Sequence, residues 1–115
     1  MPHKGLGQLR WLTRGERFLI DRHRRGENQA ATAARYNVSR FVYGQWERDI
    51  VEGPEIRMLY LTGSLQGHER CLLYRRRAKV TQGQVARKLK RCRWWVNMME
   101  RGVINCDELL WFWES

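Results

Sequence analysis

Gln29, Arg40, Gln45 and Arg48 are the side chains in the first half of this sequence best suited to reading a patterned, negatively charged surface. The arginine fork of N–H donors matches phosphate oxygens and the O6/N7 edge of guanine, and a glutamine amide pairs with adenine. Three of the four recur 53 residues later, as Gln82, Arg93 and Arg101. For any one of them the plain alternative is a solvated cation or an ordinary helix-opening glutamine; the ensemble points to a polyanion. Sets for covalent chemistry are missing from the sequence. It has no Gly-rich phosphate loop, no H-E-x-x-H, no G-x-S-x-G and no usefully spaced pair of carboxylates. Glu16 and Glu69 have a structural explanation, and no enzyme is expected.

Composition narrows the partner. The 115 residues carry a net charge of +10 and a pI of about 10.4, and eighteen of the 22 basic residues are arginine. Such a balance implies nucleic acid first and an anionic membrane surface second. No apolar run approaches the roughly 20 residues that span a bilayer, and no signal peptide is visible, so no membrane partner is expected. Cys71, Cys92 and Cys106 are odd in number and contain no C-x-x-C pair, and His3, His23 and His68 are scattered. That pattern argues against a disulfide framework or a metal site, and for a reducing cytoplasm; no cofactor or small-molecule ligand is expected.

The first set of donors must be positioned by residues 28–49, NQAATAARYNVSRFVYGQWERD, which read as two short helices joined by a tight turn. Gln29 opens the first of these helices, and Ala33 is small where the second must cross closely. Asn37 stands where the turn needs a left-handed residue, Val38 is the apolar turn residue, and Ser39 caps the next helix. Tyr43 and Trp46, at i, i+3 spacing, face that helix inward. Arg40, Phe41, Gly44 and Gln45 then face outward. This is the spacing of a helix-turn-helix, whose second helix lies in the DNA major groove. The run Q-x-x-x-A-x-x-x-N-V-S from Gln29 to Ser39, followed by Trp46-Glu47-Arg48, resembles the lambda-repressor/Cro family of DNA-binding domains.

The resemblance gives Gln29 a contact with double-stranded DNA, at a helix start where backbone N–H groups also point toward phosphate. On the outward face, Arg40 suits guanine, Gln45 adenine and Phe41 a thymine methyl. Ser39 belongs to the same edge, and Arg48 is placed for phosphate. Gly44 costs about 1 kcal/mol of helix propensity, tolerable if it lets the helix come close to the groove.

The unit is repeated. A shift of 53 residues aligns residues 12–62 with residues 65–115 without a gap, with a dozen identities that include Glu16/Glu69, Arg22/Arg75, Gln29/Gln82, Ala33/Ala86 and Glu47/Glu100. Residues 1–11 read as a flexible lead and residues 62–64 as a very short linker. The first copy is expected to form helices over residues 14–24, 29–36, 40–48 and 55–61. The second is expected to form them over residues 67–77, 82–89, 93–101 and 107–114. Thr13 with Glu16, and Thr81 with Gln84, are capping boxes. Each fourth helix is too apolar to face water, so the two are expected to meet. That contact would make an all-α, pseudo-two-fold dimer inside one polypeptide, monomeric overall. The alternative leaves Trp111-Phe112-Trp113 exposed for another protein.

The second copy is the more basic. Residues 65–115 carry eleven basic and five acidic residues, against nine and seven in residues 12–62. Arg87, Lys88 and Lys90 are its phosphate candidates and Arg101 closes the equivalent helix. Its outward positions are Arg93, Trp94, Asn97 and Met98, with Trp95 near the rim. It departs from the family pattern in the turn, where Lys90, Arg91 and Cys92 replace Asn, an apolar plug and a Ser cap. This leaves base reading by this copy open while its electrostatic contact stands.

Three functions follow as expectations. The first is a transcription regulator, a repressor for instance, on an operator with two unequal half-sites roughly 34 Å apart, acting by occluding or recruiting RNA polymerase or another regulator. The second is an architectural or accessory DNA-binder of excisionase or conjugative-transfer type. The third is an antirepressor that binds protein through its tryptophans. Small regulators of the resembled kind are frequent on phages, plasmids and other mobile elements, which is association only.

Overall fold

A computed structural model describes residues 12–56 and 65–115. They form seven α-helices, and there is no strand among the described residues. The described residues are all-α, as expected. The described residues divide into two compact units, residues 12–56 and residues 65–115. The expected lead, the linker and residues 57–61 of the first fourth helix lie outside the described residues.

In the N-terminal unit α1 spans Arg14–Arg25, α2 Gln29–Arg35 and α3 Arg40–Glu47. Local chemistry sets each start. Thr13 Oγ1 accepts from Glu16 N at 3.1 Å while Glu16 Oε1 accepts from Thr13 N at 2.9 Å, the capping box the sequence carries. The Asn28 side chain caps α2 and Ser39 caps α3. Packing then brings the helices together around Phe18, whose ring centroid lies 5.7 Å from Tyr36, 6.0 Å from Tyr43 and 5.7 Å from Trp46. Ala33, buried, lets α2 cross α3 closely, and Tyr43 Oη donates to Phe18 O. Gly15 is required where α1 meets the end of α3, because a Cβ there would fall 2.5 Å from Glu47 O.

In the C-terminal unit α4 spans Gly67–Ala78, α5 Gln82–Leu89, α6 Arg93–Glu100 and α7 Asp107–Glu114. Its core is Cys71, Val85, Ala86, Val96, Met99, Leu109 and Trp113. The second expected capping box, Thr81 with Gln84, is formed. Here α7 packs on α4, with Trp113 stacked on Tyr74 at 6.0 Å and Glu114 accepting from Tyr74 Oη and Arg70.

Turn geometry recurs at the 53-residue interval. The left-handed residues among the described ones are Gly26, Asn37 and Asp49 in one unit and Lys79, Lys90 and Gly102 in the other. Each is followed by a bond that closes the preceding helix. Examples are Val38 N to Ala33 O at 3.0 Å and, in the same place, Arg91 N to Ala86 O at 2.9 Å. These are Schellman turns. Lys90 therefore holds the conformation that Asn37 holds, although a lysine there is less comfortable than Asn or Gly.

One expectation changes. Glu55 and Ile56 are not helical, so Pro54-Glu55 does not open a helix where expected; Ile56 instead joins the core of Phe18, Ala33 and Tyr43. The apolar load of α7 is mostly buried inside its own unit: Leu109 and Trp113 are buried and Leu110 and Phe112 pack against the same core. Only Trp111 of that run is exposed, at 70%. Whether the two fourth helices meet lies outside the described residues.

Candidate nucleic-acid interface

The outward face of α3 is set by what holds α3 still. Arg22, on α1, donates from Nε to Glu47 Oε2 and from Nη1 to Glu27 O at 3.1 Å. Gln29, at the start of α2, donates from Nε2 to Glu47 Oε1 at 3.1 Å. One buried carboxylate, 1% exposed, thus ties the body of α1, the α1–α2 loop and the start of α2 to the end of α3. The second unit repeats each bond: Arg75 Nε to Glu100 Oε2 at 2.7 Å, Arg75 Nη1 to Val80 O at 3.1 Å, and Gln82 Nε2 to Glu100 Oε1 at 3.0 Å. A buried acid is tolerated because cation and amide satisfy it together. Burial, with Glu47 close by, also pushes the neighbouring Tyr43 hydroxyl far above its usual range. Outside this clamp, the Arg35 guanidinium and the Thr32 hydroxyl hold the Glu27 carboxyl below its ordinary value.

With Tyr43 and Glu47 turned in, helical periodicity turns residues 40, 41, 44, 45 and 48 out. Arg40, Phe41 and Arg48 are exposed, Phe41 by 69%. Ser39 is exposed, with its hydroxyl accepting from Val42 N at 3.1 Å. Gln45 is half-buried rather than fully outward, and Gly44 is buried. It lies on the floor of a concavity of about 440 Å³ lined by Gln29, Arg40, Phe41 and Arg48. Arg48 bends over that floor, donating from Nε to Gly44 O at 3.2 Å.

In the second unit Arg93, Trp94 and Arg101 are exposed and Asn97 and Met98 half-buried. A concavity of about 710 Å³ brings Gln82 and Arg93 together with Lys79, Thr81 and Gly83. Arg87, Lys88 and Lys90 are exposed but belong to the other end of α5 and do not line it. Arg91, in place of the apolar plug, lies over the Trp95 ring at 5.0 Å and pairs with Glu108 at 2.9 Å. The Cys92 thiol makes no cap bond.

The two glutamines differ at one atom. Gln82 Oε1 accepts from Asn97 Nδ2 at 3.5 Å, so its amide is engaged at both ends. The equivalent of Asn97 is Gly44, which offers no donor, and Gln29 Oε1 faces the open floor. Sequence reasoning nominated Gln29 and Gln82 alike and missed this division. It also missed the Arg22–Glu47 and Arg75–Glu100 clamps and the position of Lys79. The clamps left a signal, since Arg and Glu are identical at both members of each pair under the 53-residue shift.

No helix among the described residues is long and apolar enough to cross a membrane. They contain no cluster of three metal-ligating side chains. Compared with known proteins, the chain matches no family model, no curated protein and no solved structure.

Proposed function

We propose that this protein binds double-stranded DNA through two tandem helix-turn-helix units, α2–α3 and α5–α6, and acts as a transcription regulator at a bipartite operator. The observation that carries the reading is the recurrence of the clamp. The same Arg–Glu–Gln set fixes α3 and α6 and leaves their outward stripes uncovered. In the reading the α3 stripe enters a major groove, and the α6 stripe meets the same DNA.

Division of labour follows from the side chains. In the first unit Arg40 and Gln45 read base edges, Phe41 meets a thymine methyl, the free Gln29 carbonyl accepts from a base, and Arg48 holds phosphate. The second unit supplies the larger electrostatic share through Arg87, Lys88, Lys90, Arg93 and Arg101, with Trp94, Asn97 and Met98 between them. Regulation is by occluding RNA polymerase or recruiting it, without catalysis.

Selection of bound sequences from a random duplex pool, at two salt concentrations, tests this. A two-part motif supports the regulator. Salt-sensitive binding without a motif replaces it with an architectural or accessory role, and no binding at all leaves a protein partner and overturns it.

A further inference from the structure

Trp94 is 62% exposed, and no ring contact holds its indole among the described residues. It shares the outer stripe of α6 with Arg93 and Arg101, both exposed, and Lys90 stands just before the helix. Hydrogen-bonding capacity on that stripe is otherwise turned inward, because Asn97 donates to Gln82 and Gln82 to Glu100. Met98 adds only a thioether. Apart from the two guanidiniums, which suit phosphate or a guanine edge, the surface therefore offers one flat aromatic face.

The floor of a major groove presents edges and methyl groups, while the faces of paired bases are covered by their stacked neighbours. An indole of this exposure would leave most of its face in water against such a floor. A base already out of the stack exposes a π-face of matching size, and cationic neighbours hold the strand that carries it.

We propose that the C-terminal unit takes a DNA strand containing an unstacked base, which lies on Trp94, and so favours bulged or locally melted DNA over perfect duplex. This rests on the reading that the chain binds DNA, and it names the substrate of the second unit.

The full chain is titrated with a short perfect duplex and with the same duplex carrying one unpaired thymine, while tryptophan emission is followed. The bulged duplex is expected to bind about tenfold more tightly, the effect of one base–aromatic stack, and to quench the emission. Trp94→Leu should bring the ratio of the two affinities to about one, and Trp94→Phe should keep most of the ratio while losing the quenching. A thermal melt by circular dichroism confirms that each variant is folded. Equal affinity of the natural chain for both duplexes overturns the inference and leaves DNA binding intact; so does a ratio that survives Trp94→Leu. Failure to bind either duplex defeats DNA binding itself, and this inference with it.

Discussion

Gln29 donates its side-chain amide to the Glu47 carboxylate across 3.1 Å, so the residue most expected to touch DNA is half committed to its own unit. Its carbonyl oxygen is the uncommitted half. The same bond between Gln82 and Glu100, at 3.0 Å, shows that the commitment belongs to the architecture. Because Glu47 gathers α1, α2 and α3, it determines where the α3 stripe points.

Replacing Glu47 with Ala is expected to cost about 3 kcal/mol, near the lower end for removing one partner of a buried ion pair. The Arg22 side chain is 21% exposed and regains some water, which keeps the loss from being larger. Glu47→Gln keeps the shape and one acceptor and should cost less. Urea unfolding monitored by circular dichroism reads both, and an unchanged midpoint for Glu47→Ala would mean that the clamp does not hold the unit together.

Much of the fold was legible because it is written in local chemistry. Thr13 with Glu16, Asn37 and Ser39 each act within a few residues of themselves, and their roles were read from neighbours alone. The bond from Gln29 to Glu47 joins residues eighteen apart; the repeat marks both positions, as Gln82 and Glu100, but does not pair them until the helices pack. Helix phase supplies what composition left open. In Trp111-Phe112-Trp113 all three residues are apolar, so composition cannot say which faces the core, and a turn of 100° per residue settles it.

That phase gives a paired prediction. Trp113 is 4% exposed and stacked on Tyr74, and truncating it to Ala should cost about 3–5 kcal/mol. Trp111, 70% exposed, should change stability by less than about 0.5 kcal/mol. The packed seam expected from sequence would have made Trp111 the costly one. Thermal melts of the two variants decide, and a large loss for Trp111→Ala would support that seam.

Charge and specificity should separate between the units. Arg87→Gln with Lys88→Gln removes two exposed cations, and if both meet phosphate the slope of log K against log salt should fall by about 1.8. Preference among sequences should hardly move. Arg40→Ala with Gln45→Ala should instead flatten the preference while random duplex is bound nearly as before, since phosphate contacts carry no base information. Fluorescence anisotropy across a salt series, with selected and scrambled duplexes, reads both. Equal losses on the two duplexes for the Arg40, Gln45 pair would remove these residues from base reading.

Gly44 separates stability from function most cleanly. A Cβ built there would stand 3.8 Å from Arg48 Nη2 and 3.9 Å from Gln29 Oε1, which is ordinary contact. The unit has no steric need for glycine at this helical position, and Gly44→Ala should stabilise the fold by about 0.5–1 kcal/mol. If α3 enters a groove, the new methyl occupies the floor over which it must approach, and affinity for the selected duplex should drop about tenfold, as for one lost base contact. Gly44→Asn makes the sharper comparison, because it supplies the donor that Asn97 supplies in the second unit. It should close Gln29 Oε1 as Asn97 closes Gln82 Oε1 and convert the first unit toward the less discriminating chemistry of the second. A more stable Gly44→Ala protein that binds the selected duplex as tightly as before would mean that this face of α3 is not the one presented to DNA.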